Sequence, residues 1–211
     1  MTGQRVIDGT STAYASSTFD VLVLGTSAGG LHALTIVLGS LPDPFPIAIV
    51  FVLHLSPDHV SVLPQVLSRS TGRTIRWATE GAPLAPGAIY AAPPDHHVVL
   101  VRHGIELTST PRERFSRPAV DRLFVSAADA FGSGALAVLL TGNGSDGTAG
   151  AIAVRRAGGC VIVQDEESAE YFGMPREAIA SGAATCVLPL NEIAAEVTRL
   201  VWGRPNAQAH H

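Results

Sequence analysis

The sequence carries little charge and few cysteines. Only 15% of its 211 residues are Asp, Glu, Lys or Arg, and the net charge is −4 at pH 7. That balance lacks the cationic face a protein needs to neutralise many phosphates, which excludes nucleic acid as an expected partner. The two cysteines, Cys160 and Cys186, lie too far apart for a metal-knuckle spacing and read as buried free thiols. No apolar run reaches the roughly 18 residues that a membrane span requires. The first 19 residues also lack the cationic start and apolar middle of a secretory signal. Internal repeats are missing as well. Together these absences lead us to expect a soluble, cytoplasmic protein.

What the chain does have is hydrophobic residues at 46%, with 21 Gly and 14 Pro. This composition suits an α/β protein with fully buried strands and tight turns. Residues 1–18 read as a flexible leader, 19–202 as one folded domain and 203–211 as a flexible tail. Apolar runs of strand length alternate with segments of helical period. "DVLVLG" precedes a helix from about Gly30 to Gly39, and "IAIVFVLH" precedes one from about Val60 to Ser70 with Asp58 as its cap. Later come a helix in "RPAVDRLFVSAADAFG", a strand in "ALAVLLTG", a helix in "SDGTAGAIAVRRAGG", a strand in "CVIVQD" and a last helix in "NEIAAEVTRLVW". The pattern predicts a doubly wound, mostly parallel sheet, a Rossmann-like three-layer sandwich. "GAIYAAPPDHHVVLVRHGIELTST" alternates extended runs with turn signals and reads as hairpins at the sheet edge.

Gly25-Thr26-Ser27-Ala28-Gly29 fits G-x-S-x-G between a predicted strand and a predicted helix. Small residues there permit a sharp turn that presents the Ser27 hydroxyl, and N–H groups at the helix start can hold an oxyanion. Dinucleotide binding would need Gly at position 27 and an acidic residue ending the next strand, which instead ends in His54. In an open parallel sheet the carboxyl ends of the strands share one edge. Ser27, His54 and Asp146 each follow such a strand, so a hydroxyl, an imidazole and a carboxylate converge on that edge. Serine needs a base to take its proton, and the imidazole works best when a carboxylate holds its tautomer. Each residue also has a plain structural reading: an incidental serine, a core histidine, a helix-capping aspartate. His96 and His97 beside Asp95 lack a second ligand cluster, so we expect neither a metal site nor a cofactor. Arg112, Arg114 and Arg117 are either a solvated face or the rim of a cleft that steers an acidic protein substrate.

"GTSAGG", "LHLSP", "RPAVDRLF", "LLTGNGSDGTAG" and "FGMPREAIASGAA" together resemble the catalytic domain of the chemotaxis protein-glutamate methylesterases, the CheB family. The motifs span about Asp20 to Leu200. The resemblance implies hydrolysis of glutamate γ-methyl esters on the helical cytoplasmic regions of chemoreceptors, with release of methanol, and in many members deamidation of receptor glutamines. It places the nucleophile on Ser27, the base on His54, the orienting carboxylate on Asp146 and the oxyanion or substrate contacts on Ala28 and Asn143. The sequence departs from the family pattern at Ala28 and Asn143, where Thr and Met are usual, and at Leu53, where Gln often precedes the histidine. No receiver domain precedes these motifs within the chain. Constitutive activity, control by a separate regulatory protein and excision from a longer chain all stay open. So do a signalling esterase or amidase outside chemotaxis and a catalytically weak scaffold of the same fold.

Overall fold

In the computed structural model, which describes residues 18–54 and 61–203, the apolar run Val21–Thr26 forms β1 and the following Gly-rich turn opens directly into α1 (Gly30–Ser40). The order continues as β2 (Ala48–Leu53), α2 (Leu63–Thr71), β3 (Ile75–Trp77), β4 (Ile89–Ala91), β5 (His97–Val101), β6 (Gly104–Thr108) and α3 (Val120–Phe131). A short 3₁₀ turn then leads into β7 (Ala135–Leu139), α4 (Thr148–Arg156), β8 (Cys160–Gln164), α5 (Gly173–Ala180), β9 (Cys186–Leu188) and α6 (Leu190–Trp202). The expected cap at Asp58, the leader before Thr18 and the tail after Gly203 lie outside the described residues. Among the described residues no helix is long and apolar enough to cross a membrane.

Seven strands pair in the order β3-β4-β2-β1-β7-β8-β9, all parallel. Successive side chains of β1 point to opposite faces, and both faces are covered, so every residue of the strand is buried. Val21 and Val23 pack under α3, α4 and α5 with Leu123, Phe124, Val154 and Met174. Leu22 and Leu24 pack under α1, α2 and α6 with Leu34, Leu38, Leu67 and Ile193. Two apolar layers on one sheet explain why the strands read as unbroken apolar runs rather than alternating ones.

The region expected as edge hairpins divides in two. β5 and β6 pair antiparallel, Val101 opposite Gly104, as a separate two-stranded sheet whose Val98, Leu100 and Ile105 join the α3 layer. Ile89–Ala91 is instead a parallel strand of the main sheet, lying between β2 and β3. Three residues between proline-rich turns carry too short a pattern to distinguish these outcomes by periodicity.

The chain runs from β1 outward to β2 on one side and returns through β7 on the other, which puts the topological switch between β1 and β7. Loops on either side diverge there and leave a crevice at the carboxyl ends of the strands. Gly25 lets the start of α3 lie close against the carboxyl end of β1. A Cβ on it would collide with Val120 Cγ1 and sit 3.0 Å from Val120 Cγ2, at the first turn of α3. We expect Gly25→Ala to cost about 1–3 kcal/mol by overpacking. In a double-mutant cycle with Val120→Ala, urea unfolding should show the pair to be more stable than the sum of the single losses by at least about 0.5 kcal/mol. Simple additivity would mean that Val120 is not the obstacle.

Candidate active site

Three loops meet at the switch. The first follows β1. Ser27 N–H donates to the Thr141 carbonyl at 3.0 Å, its own carbonyl accepts the Gly30 N–H at 2.9 Å, and the Thr26 hydroxyl donates to Thr141 O at 2.7 Å. The sharp part of the turn falls on Gly29, with φ of 77°, and Ser27 stays out of the left-handed region. A side chain at position 29 would also meet Glu170 Oε2 at 2.8 Å, so glycine serves both conformation and space. Leu31, the second residue of α1, is left partly exposed beside this turn.

The second loop follows β7. Thr141 is buried. Its N–H donates to Gln164 Oε1 at 2.8 Å, and its hydroxyl accepts the Tyr171 N–H at 2.9 Å. Gly142 donates to Tyr171 O and accepts from Met174 N–H, both at 2.8 Å, which pins the glycine loop against the start of α5. A Cβ on Gly142 would come within 2.9 Å of Ser27 Cβ, so the two loops lie side by side.

His54 directly follows β2, and its imidazole spans the crevice. Nδ1 lies 3.2 Å from Ser27 Oγ, and Nε2 lies 2.7 Å from Asp146 Oδ2. This is the reverse of the chymotrypsin-type arrangement, where Nε2 faces the serine. One nitrogen still faces each partner, so the Nε2–H tautomer leaves Nδ1 free to accept the serine proton. The structure thus brings together the hydroxyl, imidazole and carboxylate that the strand-end argument grouped.

Asp146 is almost wholly buried, its side chain 4% exposed against 18% for His54. Its Oδ2 also accepts the Val120 N–H at 2.8 Å, and its Oδ1 accepts the Asp121 N–H at 2.9 Å. Asp146 therefore caps α3 from another segment of the chain, so its plain structural reading holds alongside the contact with His54. Burial alone would push the carboxyl up, but the His54 hydrogen bond and the N–H groups of Asp121 and Val120 outweigh it and hold Asp146 below its ordinary value.

Asp121 carries no distinguishing signal in the sequence, where it reads as a charged residue in the first turn of a helix. Its Oδ1 accepts the Gly150 N–H at 2.8 Å in the first turn of α4, and its Oδ2 accepts from Arg114 Nε at 3.2 Å. Two carboxylates are thus exchanged between two helix starts, Asp146 to α3 and Asp121 to α4. Burial raises the Asp121 pKa and the nearby Asp146 charge adds to this, against the Gly150 N–H and Arg114. Arg114 also donates to Ser145 Oγ at 2.7 Å. That places one of the three loop arginines at the rim, bound to the residue that precedes Asp146.

The remaining candidates divide. Ala28 is half-buried and Asn143 exposed, and among the described residues no acceptor takes either N–H. Arg117 is tied inward to Asp95 Oδ1 at 2.6 Å and to the carbonyls of Ser109 and Thr110, while Arg112 is exposed. His97 is buried. Its Nδ1 accepts the Ala119 N–H at 3.2 Å and its Nε2 faces Pro111 O at 3.2 Å, so both ring nitrogens are engaged in shaping the start of α3. Among the described residues no cluster of His, Cys, Asp and Glu is arranged to hold a metal ion.

Comparison with known proteins bears on this geometry. The family model described as CheB methylesterase matches residues 22–197. A Bradyrhizobium diazoefficiens protein named protein-glutamate methylesterase/protein-glutamine glutaminase of group 2 operon is 43% identical over 190 residues, 87% of this chain and 47% of that one. A Pseudomonas aeruginosa protein named protein-glutamate methylesterase/protein-glutamine glutaminase 2 is 41% identical over 88% of this chain and 54% of its own. The chain spans about half the length of the curated relatives it matches. The crystal structure of the Thermotoga maritima CheB methylesterase catalytic domain superposes with a TM-score of 0.83 at 36% identity, covering 87% of this chain and 99% of that one.

The lowered Asp146 value has a thermodynamic consequence. A carboxyl with a folded pKa below its unfolded value contributes stability that is fully present above the unfolded value of about 3.9 and is lost as pH falls through the folded one. Asp146→Asn should therefore unfold with a shallower pH dependence than the wild type below about pH 4. Chemical denaturation across that range measures it, and parallel curves would show that Asp146 is not held as a stabilised anion.

Proposed function

The chain belongs to the CheB methylesterase family, and from that premise we propose that residues 19–202 are a catalytic domain that hydrolyses glutamate γ-methyl esters on the cytoplasmic helices of chemoreceptors. The observation that carries this reading is the His54 imidazole, 3.2 Å from Ser27 Oγ on one side and 2.7 Å from Asp146 Oδ2 on the other. In the proposed reaction Ser27 Oγ attacks the ester carbonyl while its proton passes to His54 Nδ1. Asp146 keeps the Nε2–H in place and stabilises the imidazolium. The N–H groups of Ala28 and Asn143 receive the oxyanion.

Collapse of the tetrahedral adduct breaks the bond to the methoxy oxygen, which takes the proton from Nδ1 and leaves as methanol. The γ-carbonyl is then esterified to Ser27. Water, deprotonated by His54, attacks this acyl group, and glutamate departs as Ser27 recovers its proton. The same sequence on a glutamine side chain expels ammonia, in keeping with the glutaminase half of the relatives' names. Alanine and asparagine at the oxyanion positions change side chains, while the donors used are main-chain groups. No cofactor enters any step, and the cytoplasm is where such a receptor substrate would be met.

Methanol release from receptor-containing membranes that carry methyl-esterified glutamates tests the reading. Ser27→Ala should lower kcat by about 10⁴-fold or more and should abolish labelling by a fluorophosphonate. Undiminished methanol release by the variant would sink the mechanism. Fluorophosphonate labelling and small-ester turnover without methanol release would place the substrate outside chemotaxis.

A further inference from the structure

The loop between β6 and α3 carries a two-residue turn with an unusual tip. Glu113 and Ser116 pair across it through both backbone hydrogen bonds, 3.1 and 2.8 Å, leaving Arg114 and Phe115 as the central residues. Their φ angles are 47° and 69°, the left-handed region that such turns require and that Gly, Asn or Asp normally occupy. A phenylalanine there is a marked exception. It is also 95% exposed, against 56% for Val62, the next most exposed large hydrophobic side chain among the described residues.

Ion pairs and hydrogen bonds fasten the residues on either side of the tip. Glu113 pairs with Arg122, Arg114 with Asp121 and Ser145, and Arg117 with Asp95. The charged side chains around the turn are held in ion pairs, Arg114 still half exposed, and the phenyl ring projects beyond them. Through Arg114 the turn is fastened to Asp121, whose N–H holds Asp146, and to Ser145 beside Asp146. Its position relative to His54 and Ser27 is therefore set by the same contacts that build the site.

Two more apolar side chains stand partly exposed at the other loops of the crevice: Leu31 beside the Ser27 turn and Tyr171, whose backbone binds Thr141 and Gly142. Leu31 follows the Ser27 turn, Tyr171 is bound to the neighbouring glycine loop, and Phe115 is tied to the site through Arg114 and Asp121, so exposed apolar groups come from three separate segments. That arrangement suits the apolar stripe of a helix laid across the crevice better than a small ester. A lipid surface fits poorly, because the arginines at positions 114, 117 and 122 already have carboxylate partners and the chain is net negative.

We propose that Phe115 is the docking anchor for the protein substrate, seated on the apolar stripe of the amphipathic helix that carries the glutamyl ester. This rests on the hydrolase reading above and names how that site engages its substrate. The anchor acts on binding and leaves the chemical step alone. A small ester does not reach it.

The test uses a methyl-esterified helical cytoplasmic fragment of a chemoreceptor, p-nitrophenyl acetate as the small ester, and the variants Phe115→Gly and Phe115→Leu. Glycine relieves the left-handed strain while removing the ring, so Phe115→Gly should be at least as stable to heat as the wild type. Its KM for the fragment should rise about tenfold with kcat within about twofold, and p-nitrophenyl acetate turnover should not change. Phe115→Leu should recover most of the affinity. A merely structural role would move stability and small-ester turnover together with KM.

Fragment binding to Ser27→Ala with and without Phe115→Gly separates this proposal from the function it rests on. If the wild type releases no methanol but binding weakens on loss of the ring, docking stands and the hydrolase reading fails. Normal methanol release with an unchanged KM in Phe115→Gly overturns docking alone. Absence of fragment binding overturns it too, as does Phe115-dependent binding to phosphatidylglycerol vesicles with none to the fragment.

Discussion

Three donors converge on the two oxygens of Asp146: the His54 imidazole and the N–H groups of Val120 and Asp121. A buried carboxylate is tolerable only when its lone pairs are satisfied, and here two of the donors are the otherwise unpartnered N–H groups of a helix start. The same contact that ends the exposure of the α3 backbone also aims the carboxylate at His54. Asp121 returns the exchange by accepting from Gly150 at the start of α4. Neither helix can shift along the sheet without unseating one of these carboxylates, so the layer above β1 and the geometry around His54 are mechanically one unit.

The sheet supplies the other half of the constraint. β1 and β7 are neighbours in space but far apart in sequence, and their loops are stitched together where they leave the sheet, Ser27 N–H and the Thr26 hydroxyl both reaching Thr141 O. Gln164 at the end of β8 then holds Thr141 N–H from the far side. A hydroxyl placed on such a turn has little freedom relative to the imidazole across the crevice. This is the preorganisation that a proposed nucleophile needs, because the entropy of aligning it is lost on folding rather than at reaction.

The rim has a different character. Arg114, Arg117 and Arg122 are held in local ion pairs, and Phe115, the most exposed large apolar side chain among the described residues, stands among them. Arg114 and Arg117, two of the three loop arginines that in the sequence read as either a solvated face or a steering rim, also brace the loop through their carboxylate partners. Only Arg112 among the three is left exposed without a carboxylate partner among the described residues.

Much of this was legible in the amino acids. Runs such as Val21–Thr26 and Ala135–Leu139 are buried on both faces, so their apolar continuity announces parallel strands, and the residues just beyond them, Ser27, His54 and Asp146, fall on one edge by topology alone. Other features had no local signature. Ile89–Ala91 is an interior strand paired on both sides, with β2 and β3, and three residues carry too short a pattern to announce it. Asp121 looks like any acidic residue in a first helical turn, and its partners Gly150, Arg114 and Asp146 lie up to 29 residues away. The left-handed tip at Phe115 contradicts the preference of its own residue type, so no propensity argument finds it. By itself, then, the sequence determined the alternation of elements, the edge on which the chemistry-bearing side chains gather and the identity of those side chains, because these depend on local period and strand direction. The imidazole orientation, the carboxylate exchange between α3 and α4 and the outward phenyl ring were decided only by tertiary structure, because each depends on backbone groups brought together from distant parts of the chain.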